Sequence, residues 1–372
     1  MKLAYVVPYA VYSSKVGIYS AIETKIQNQI SGLKKNGVDV DLINLPLKVT
    51  DPINFFKSSL QGWRYLNKII HTEKYSIIYC RHFYPYIVNA QLVSIMLSTK
   101  IVFEAQDIQT KSANISKNLT PIKNIENVYL KCFDLLFGKY ISSHADGIVS
   151  VTPEISAYHQ ARTKGSSKYL SLGNGINTTS LKIRHCPQLQ NKLHILCVAN
   201  LHYWHGVDRM IHGMKLYEGT SELYLHIVGN GHELPNLKSL TKELHLEDHV
   251  IFHGFKSGTE LDAMFDECHI ALDALAGFRK NLNELSTLKA REYCARGIPF
   301  LMASKDADFP ESWDYIQMVP ATEDPIDMEL VIAFADRVLA DYDHPQKMHE
   351  YAKDHLDWLA KMKVLKEFLE KL

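Results

Sequence analysis

The sequence has no apolar run long enough to span a bilayer. Its longest such stretches, like Ile87 to Leu97, are interrupted and fall short of the roughly 20 residues that a crossing helix needs. No charged segment precedes an apolar core at the amino end, and Leu3 to Val7 is read as a first strand, so no signal peptide is expected. The six cysteines, Cys80, Cys132, Cys186, Cys197, Cys268 and Cys294, show no paired spacing, which argues free, buried thiols in a reducing compartment. Net charge is missing too, with 41 basic and 41 acidic residues. A soluble cytoplasmic protein without a nucleic-acid partner is expected.

That cancellation conceals an asymmetry. Residues 1–180 hold 20 Lys and Arg against 11 Asp and Glu, a surplus of nine, and residues 181–372 hold 21 against 30, a deficit of nine. A basic half suits an anionic partner, such as a lipid diphosphate or an acidic membrane face; mutual attraction of the halves explains it equally well. Also lacking is a Gly-x-Gly-x-x-Gly turn after the first strand, where Pro8 to Gly17 stands instead. A dinucleotide-dependent oxidoreductase is therefore disfavoured.

What is present is an alternation of strand and helix patterns over 372 residues, enough for two domains. Strands are read at Leu3 to Val7, Val38 to Leu45, Ser76 to Cys80, Lys100 to Glu104, Gly147 to Val151 and Lys168 to Leu172. In the second half they are read at Leu193 to Ala199, Leu223 to Val228, Val250 to His253, Ile270 to Leu275 and Tyr315 to Val319. The pattern predicts an α/β protein of parallel sheets with helices on both faces. A polar stretch from Gly173 to about Lys192 reads as the connection between domains. Two helical segments, Asp51 to His71 and Ile122 to Tyr140, mix aromatic and basic residues; core packing is favoured, with a membrane-resting face as the sharper alternative.

Ligands of such sheets lie beyond the carboxyl ends of the strands. That singles out Gly17, Arg81 and His82, Gln106 and Asp107, the segment from Asn200 through His205 and Gly206 to Arg209, Gly229-Asn230-Gly231, and Phe255. Each has a plain structural reading as loop glycine, turn cap or ion-pair partner. The most informative stretch is residues 281–299, Asn-Leu-Asn-Glu284-Leu-Ser-Thr-Leu-Lys289-Ala-Arg-Glu292-Tyr-Cys-Ala-Arg-Gly297-Ile-Pro299. A helix capped by Ser286 or Thr287 and stopped by Gly297 and Pro299 is expected. Glu284 then sits just before a helix N-terminus whose amides favour an anion such as phosphate, and Lys289 adds a full charge. Glu292 shares a face with Leu288 and Ala295, where the hydroxyls of a ribose would serve it as donors. For either residue alone, a surface Lys289–Glu292 pair is the plainer reading.

Taken whole, this stretch resembles the signature of family-4 glycosyltransferases, in the variant with Lys-x-x-Glu-Tyr in the donor helix. Asn-Gly175-Ile-Asn177, Ile-Val-Gly229-Asn-Gly231, Phe-His-Gly-Phe255 and the last segment, Asp357-Trp358 to Leu372, resemble further family segments in order. The resemblance implies a GT-B architecture of two Rossmann-like domains facing a cleft: residues 1–180 for the acceptor, 181–355 for the nucleotide sugar, and 356–372 crossing back onto the first domain. It implies a hexosyltransferase-type enzyme that moves sugar from a nucleotide diphosphate sugar, UDP- favoured over GDP-, to a hydroxyl of a glycan or lipid-linked acceptor. Retention of configuration, surface polysaccharide assembly and peripheral contact with the inner membrane face go with it.

The same resemblance makes Glu284 and Lys289 catalytic. Glu292, Ser286, Thr287, Leu288, His205, Arg209, Asn200, Gly17, Gly229, Asn230 and Phe255 become donor-binding, and Gln106, Asp107 and Arg81 line the sugar or acceptor side. The family usually has an arginine at the position of Asn200 and a lysine at that of His205; protonated His205, Arg209 and Lys289 are expected to share their task. No cofactor and no metal are implied, and no Asp-x-Asp triplet is read between the strands. The nearest alternatives are a sugar-nucleotide 2-epimerase of the same fold and a two-lobed small-molecule binding protein without catalysis.

Overall fold

A computed structural model of the chain describes residues 1–8, 21–45, 52–81, 99–106, 132, 134–136, 138–163, 167–185, 187–188 and 191–372. The chain forms two compact units, one of the residues up to Gly175 together with Trp358–Leu372, the other of Ile176–Asp357.

The first unit runs β1 (Lys2–Pro8), α1 (Ala21–Lys35), β2 (Asp39–Leu45), α2 (Pro52–Glu73), β3 (Ile77–Arg81), β4 (Lys100–Ala105), β5 (Gly147–Ser150), α3 (Pro153–Thr163) and β6 (Lys168–Ser171). Its strands pair in parallel in the order β2-β1-β3-β4-β5-β6. Alternate residues serve the two faces. Leu3, Tyr5 and Val7 meet Ile26, Ile30 and Leu33 of α1 on one face, while Phe103 meets His159 of α3 edge-on from the other. Trp358, Met362, Leu365 and Leu369 of the C-terminal helix join the α1 side. Gly32 is what lets that helix approach, because a Cβ there would lie 2.7 Å from Met362. In α2, Leu66 and Ile70 are buried, as a core-facing stripe requires.

The second unit runs β7 (Lys192–Val198), α4 (Val207–Leu216), β8 (Glu222–Val228), α5 (Leu234–Glu243), β9 (Val250–Gly254), α6 (Gly258–Glu267), β10 (Ile270–Leu272), α7 (Leu288–Arg296), β11 (Phe300–Met302), β12 (Ile316–Met318), α8 (Met328–Leu339) and α9 (His344–Tyr351). The C-terminal helix is α10 (Trp358–Glu370). The sheet is parallel, in the order β12-β11-β10-β7-β8-β9. Leu193, Ile195 and Cys197 face α4 and α8, and Leu196 faces α6 and α7, so helices cover both faces. Strand β11 was not expected: three residues directly behind Gly297-Ile-Pro299 give no pattern of their own, yet all are buried between β10 and β12. The stretch read as a polar connection is also built into this unit. Arg184, 4% exposed, donates to the carbonyls of Gly297 and Cys268, and its backbone N–H donates to Arg296.

On the α6 face, histidines replace the apolar side chains that would ordinarily fill the lower half of the sheet. His194 Nδ1 lies 2.8 Å from His226 Nε2, and His226 Nδ1 lies 2.9 Å from His253 Nε2, with the rings stacked; the His194 N–H donates to His269 Nδ1. Burial, with the neighbouring His194 and His253, brings the His226 pKa down to about 4. Burial brings His269 to about 4 as well. Burial and Lys192 depress His194, burial and Lys256 depress His253, and Glu267 opposes both. The folded row therefore stays neutral where unfolded histidines, with a pKa near 6.5, already take up protons. Stability is complete above about pH 6.5 and declines as pH falls towards about 4. In urea unfolding between pH 7 and 4.5, His226→Gln, which keeps an amide donor and acceptor, is expected to remove about one proton from the pH slope.

Candidate active site

The loops at the carboxyl ends of β7, β8, β9 and β10 are joined to one another by backbone. Leu275 N–H donates to His205 O at 2.9 Å, and Gly206, with φ 67°, turns the chain where a Cβ would stand 2.9 Å from Ala276 N. Gly229 (φ 124°) and Gly231 (φ 151°) leave no room for side chains, which would fall 2.0 Å from Ala199 O and 2.3 Å from Leu201 N. Leu201 N–H donates to Asn230 O at 2.6 Å and Gly229 N–H to Gly254 O at 2.7 Å. The glycine pair is thus demanded by the meeting of two loops.

The next element to reach this edge is α7. Its cap is Thr287, whose Oγ1 accepts from Ala290 N–H at 3.1 Å and donates to Asp273 Oδ1 at 2.5 Å. The N–H groups of Leu288 and Lys289 lie in the first turn, where a helix offers them no partner. The Lys289 side chain is 13% exposed, with Nζ 3.8 Å from Asp273 Oδ1; this ammonium is buried and has no hydrogen-bond partner among the described residues. Glu292 accepts from Arg296 Nε at 2.9 Å, and Arg296 reaches Asp262 at 2.6 Å. Lys289 and Glu292 do not pair with each other, so the plain reading of a surface pair fails. Glu284 lies half-buried in a loop pinned by Leu285 N–H to Lys305 O, 2.9 Å, and Lys305 N–H to Asn283 O, 3.0 Å.

Two expected cationic donors are corrected. His205 is 4% exposed and its Nδ1 accepts the His202 N–H at 3.2 Å, which leaves the ring proton on Nε2. Burial, Lys289, His202 and Lys280 hold its pKa well below the ordinary value, so it offers a neutral N–H and no charge. Arg209 is buried, and its guanidinium donates to the carbonyls of Leu275, Pro320 and Asp324. It straps the sheet edge together and is not a phosphate ligand. Asn200 and Asn230 are exposed, and Phe255 is 60% exposed. Ser286 and Leu288 are half-buried at the helix start.

In the first unit, the Arg81 Nη1 is buried without a hydrogen-bond partner among the described residues. Gln106 accepts from Lys25 at 2.7 Å and donates to Glu104, itself 2% exposed and 3.4 Å from Lys25. Gly17, His82 and Asp107 lie outside the described residues.

Several working residues escaped the sequence. Asp273 is one, although it is the only charged residue in the apolar run from Ile270 to Ala276 and could have been noticed for that. Tyr293 is fully buried and ties α7 to two strands, donating to Leu272 O and accepting from Val198 N–H. Arg279 stacks 4.0 Å over Tyr203 and pairs with Asp208 and Glu323. An Asp-x-Asp triplet does lie between strands, Asp306-Ala-Asp308, against the sequence reading. Both carboxylates are spent on the buried Arg291, and among the described residues no cluster of three His, Cys, Asp or Glu is arranged to hold a metal.

Residues 184–355 match the family described as Glycosyl transferases group 1. An uncharacterized glycosyltransferase of Haemophilus influenzae is 33% identical over 120 residues, 31% of this chain; the match spans about a third of that relative, 32% of its length. Sucrose-phosphate synthase of Thermosynechococcus elongatus superposes with a TM-score of 0.71 at 14% identity, over 100% of this chain and 98% of the other. Anabaena HepE in complex with UDP and glucose superposes with a TM-score of 0.65 at 12% identity, over 100% of both chains. The chain thus has the GT-B fold, and its similarity to the glycosyl transferases group 1 family lies in residues 184–355.

Proposed function

We propose that the protein transfers a sugar from a nucleotide diphosphate sugar to a hydroxyl of a glycan or lipid-linked acceptor. The observation that carries this reading is the Lys289 ammonium, buried beside the first turn of α7 and without a hydrogen bond among the described residues. Buried donors are normally satisfied, and a diphosphate would satisfy this one together with the N–H groups of Leu288 and Lys289. The UDP held by the Anabaena relative supports a uridine donor. The leaving diphosphate gains charge as the glycosidic bond breaks, so preorganised positive groups lower the barrier more than they tighten ground-state binding.

In this reading Glu284 orients the sugar hydroxyls and the second oxygen of Glu292 takes the ribose. His205 Nε2–H and Asn200 donate to the phosphates as neutral groups, and backbone near Phe255 meets the base. Gly17 serves the donor, and Arg81, Gln106 and Asp107 serve the sugar or acceptor side. Retention of configuration, a metal-free reaction and a place in surface polysaccharide assembly belong to the same proposal. Peripheral attachment to an acidic membrane face is supported by Leu135 and Leu136, 71% and 73% exposed beside Lys139 and Tyr140, and by the basic surplus of residues 1–180.

Lys289→Met is expected to cut transfer about 100-fold or more, the scale seen on removing one transition-state donor, with a melting temperature equal to or above wild type. A loss within about threefold would sink the assignment. UDP is expected to raise the melting temperature more than uridine does, because ligands of the folded state alone stabilise it. Incubation with a nucleotide sugar and no acceptor is expected to yield no isomeric nucleotide sugar, the product an epimerase would leave.

A further inference from the structure

We propose that Asp273 is the positioning residue of this site: it holds the Lys289 ammonium buried, charged and with its N–H donors unspent, ready for the diphosphate. The inference rests on the sugar-nucleotide reading and adds a residue to it. Asp273 directly follows β10 with 2% exposure. Its Oδ1 takes the Thr287 hydroxyl at 2.5 Å, so the carboxylate already has its hydrogen bond. Lys289 Nζ stands 3.8 Å from the same oxygen, near enough to be neutralised and too far to donate. Burial without a counter-charge disfavours an ammonium, and a hydrogen bond to the carboxylate would take one of its three N–H donors from a ligand. The observed geometry avoids both outcomes. Thr287 fixes the carboxylate in this place, since its hydroxyl accepts from Ala290 N–H and donates to the same Asp273 oxygen.

Other groups around the pair do not titrate in the window that matters. His205, in the turn after β7, is held well below its ordinary value by burial first and then by Lys289, and Lys280 also bears on it. Cys197 of β7 is raised by burial, and Tyr293 of α7 is raised well above the ordinary value by burial.

The experiment is calorimetric binding of UDP and of uridine between pH 7 and 9 to wild type, Asp273→Asn and Lys289→Met. Asn keeps an amide oxygen for the Thr287 hydroxyl, and a melting temperature close to wild type checks the fold. In Asp273→Asn the alkaline loss of UDP affinity is expected about one pH unit or more below that of wild type, the scale for removing an opposite charge within about 4 Å. Uridine binding should not follow, and Lys289→Met should bind UDP weakly with no pH dependence of its own across the window. If the Asp273→Asn and wild-type profiles coincide, Asp273 is a cap ligand only and the inference falls while the sugar-nucleotide reading stands. If wild type binds no UDP at any pH, that reading falls and takes the inference with it.

Discussion

One hydroxyl governs the edge of the second unit. Thr287 Oγ1 donates to Asp273 and accepts from the N–H of Ala290, so it closes a helix and fixes a carboxylate at once. Caps of this kind are worth about 1 kcal/mol to a helix. Here the larger consequence is geometric: with the cap in place, the first turn of α7 lies against the end of β10 and Lys289 is carried into the interior without a hydrogen bond among the described residues. Tyr293, two strands deep, keeps the helix from sliding.

The cations of this unit divide by chemistry. Arginine, with a rigid fork of donors, is used as internal strapping: Arg209 on three carbonyls, Arg279 between Tyr203, Asp208 and Glu323, and Arg291 on Asp306 and Asp308. Burial would lower the Arg291 guanidinium, but its two carboxylates outweigh that and hold it charged. Lys289, a compact point charge, has no hydrogen-bond partner among the described residues. A diphosphate site of the kind proposed would depend on few full charges and on oriented backbone N–H groups.

Much of the fold could be read in advance, because strands buried on both faces write themselves as apolar runs and helix ends carry their own punctuation, as Thr287 and Gly297 do. The motif at 281–299 was legible for the same reason, since a cap, a lysine and a glutamate at helical spacings are local facts. Arg209 was not legible: its partners are backbone carbonyls of Leu275, Pro320 and Asp324, which no side-chain pattern announces. The neutrality of His205 was hidden too, for it follows from enclosure by a turn folded onto β10. Strand β11 and the Asp306–Asp308 pair were missed together, the one for its brevity and the other because its partner Arg291 is set by the helix in front of it.

The histidine row has an implication beyond acid sensitivity. His226 is neutral and both its ring nitrogens are engaged by other rings, so one must give a proton and the other must take one. The same choice is forced on His194 and His253, and all N–H vectors along the row must point the same way. Three imidazoles therefore behave as one polar rod with two orientations, and no single ring can change its tautomer unless its neighbours change with it.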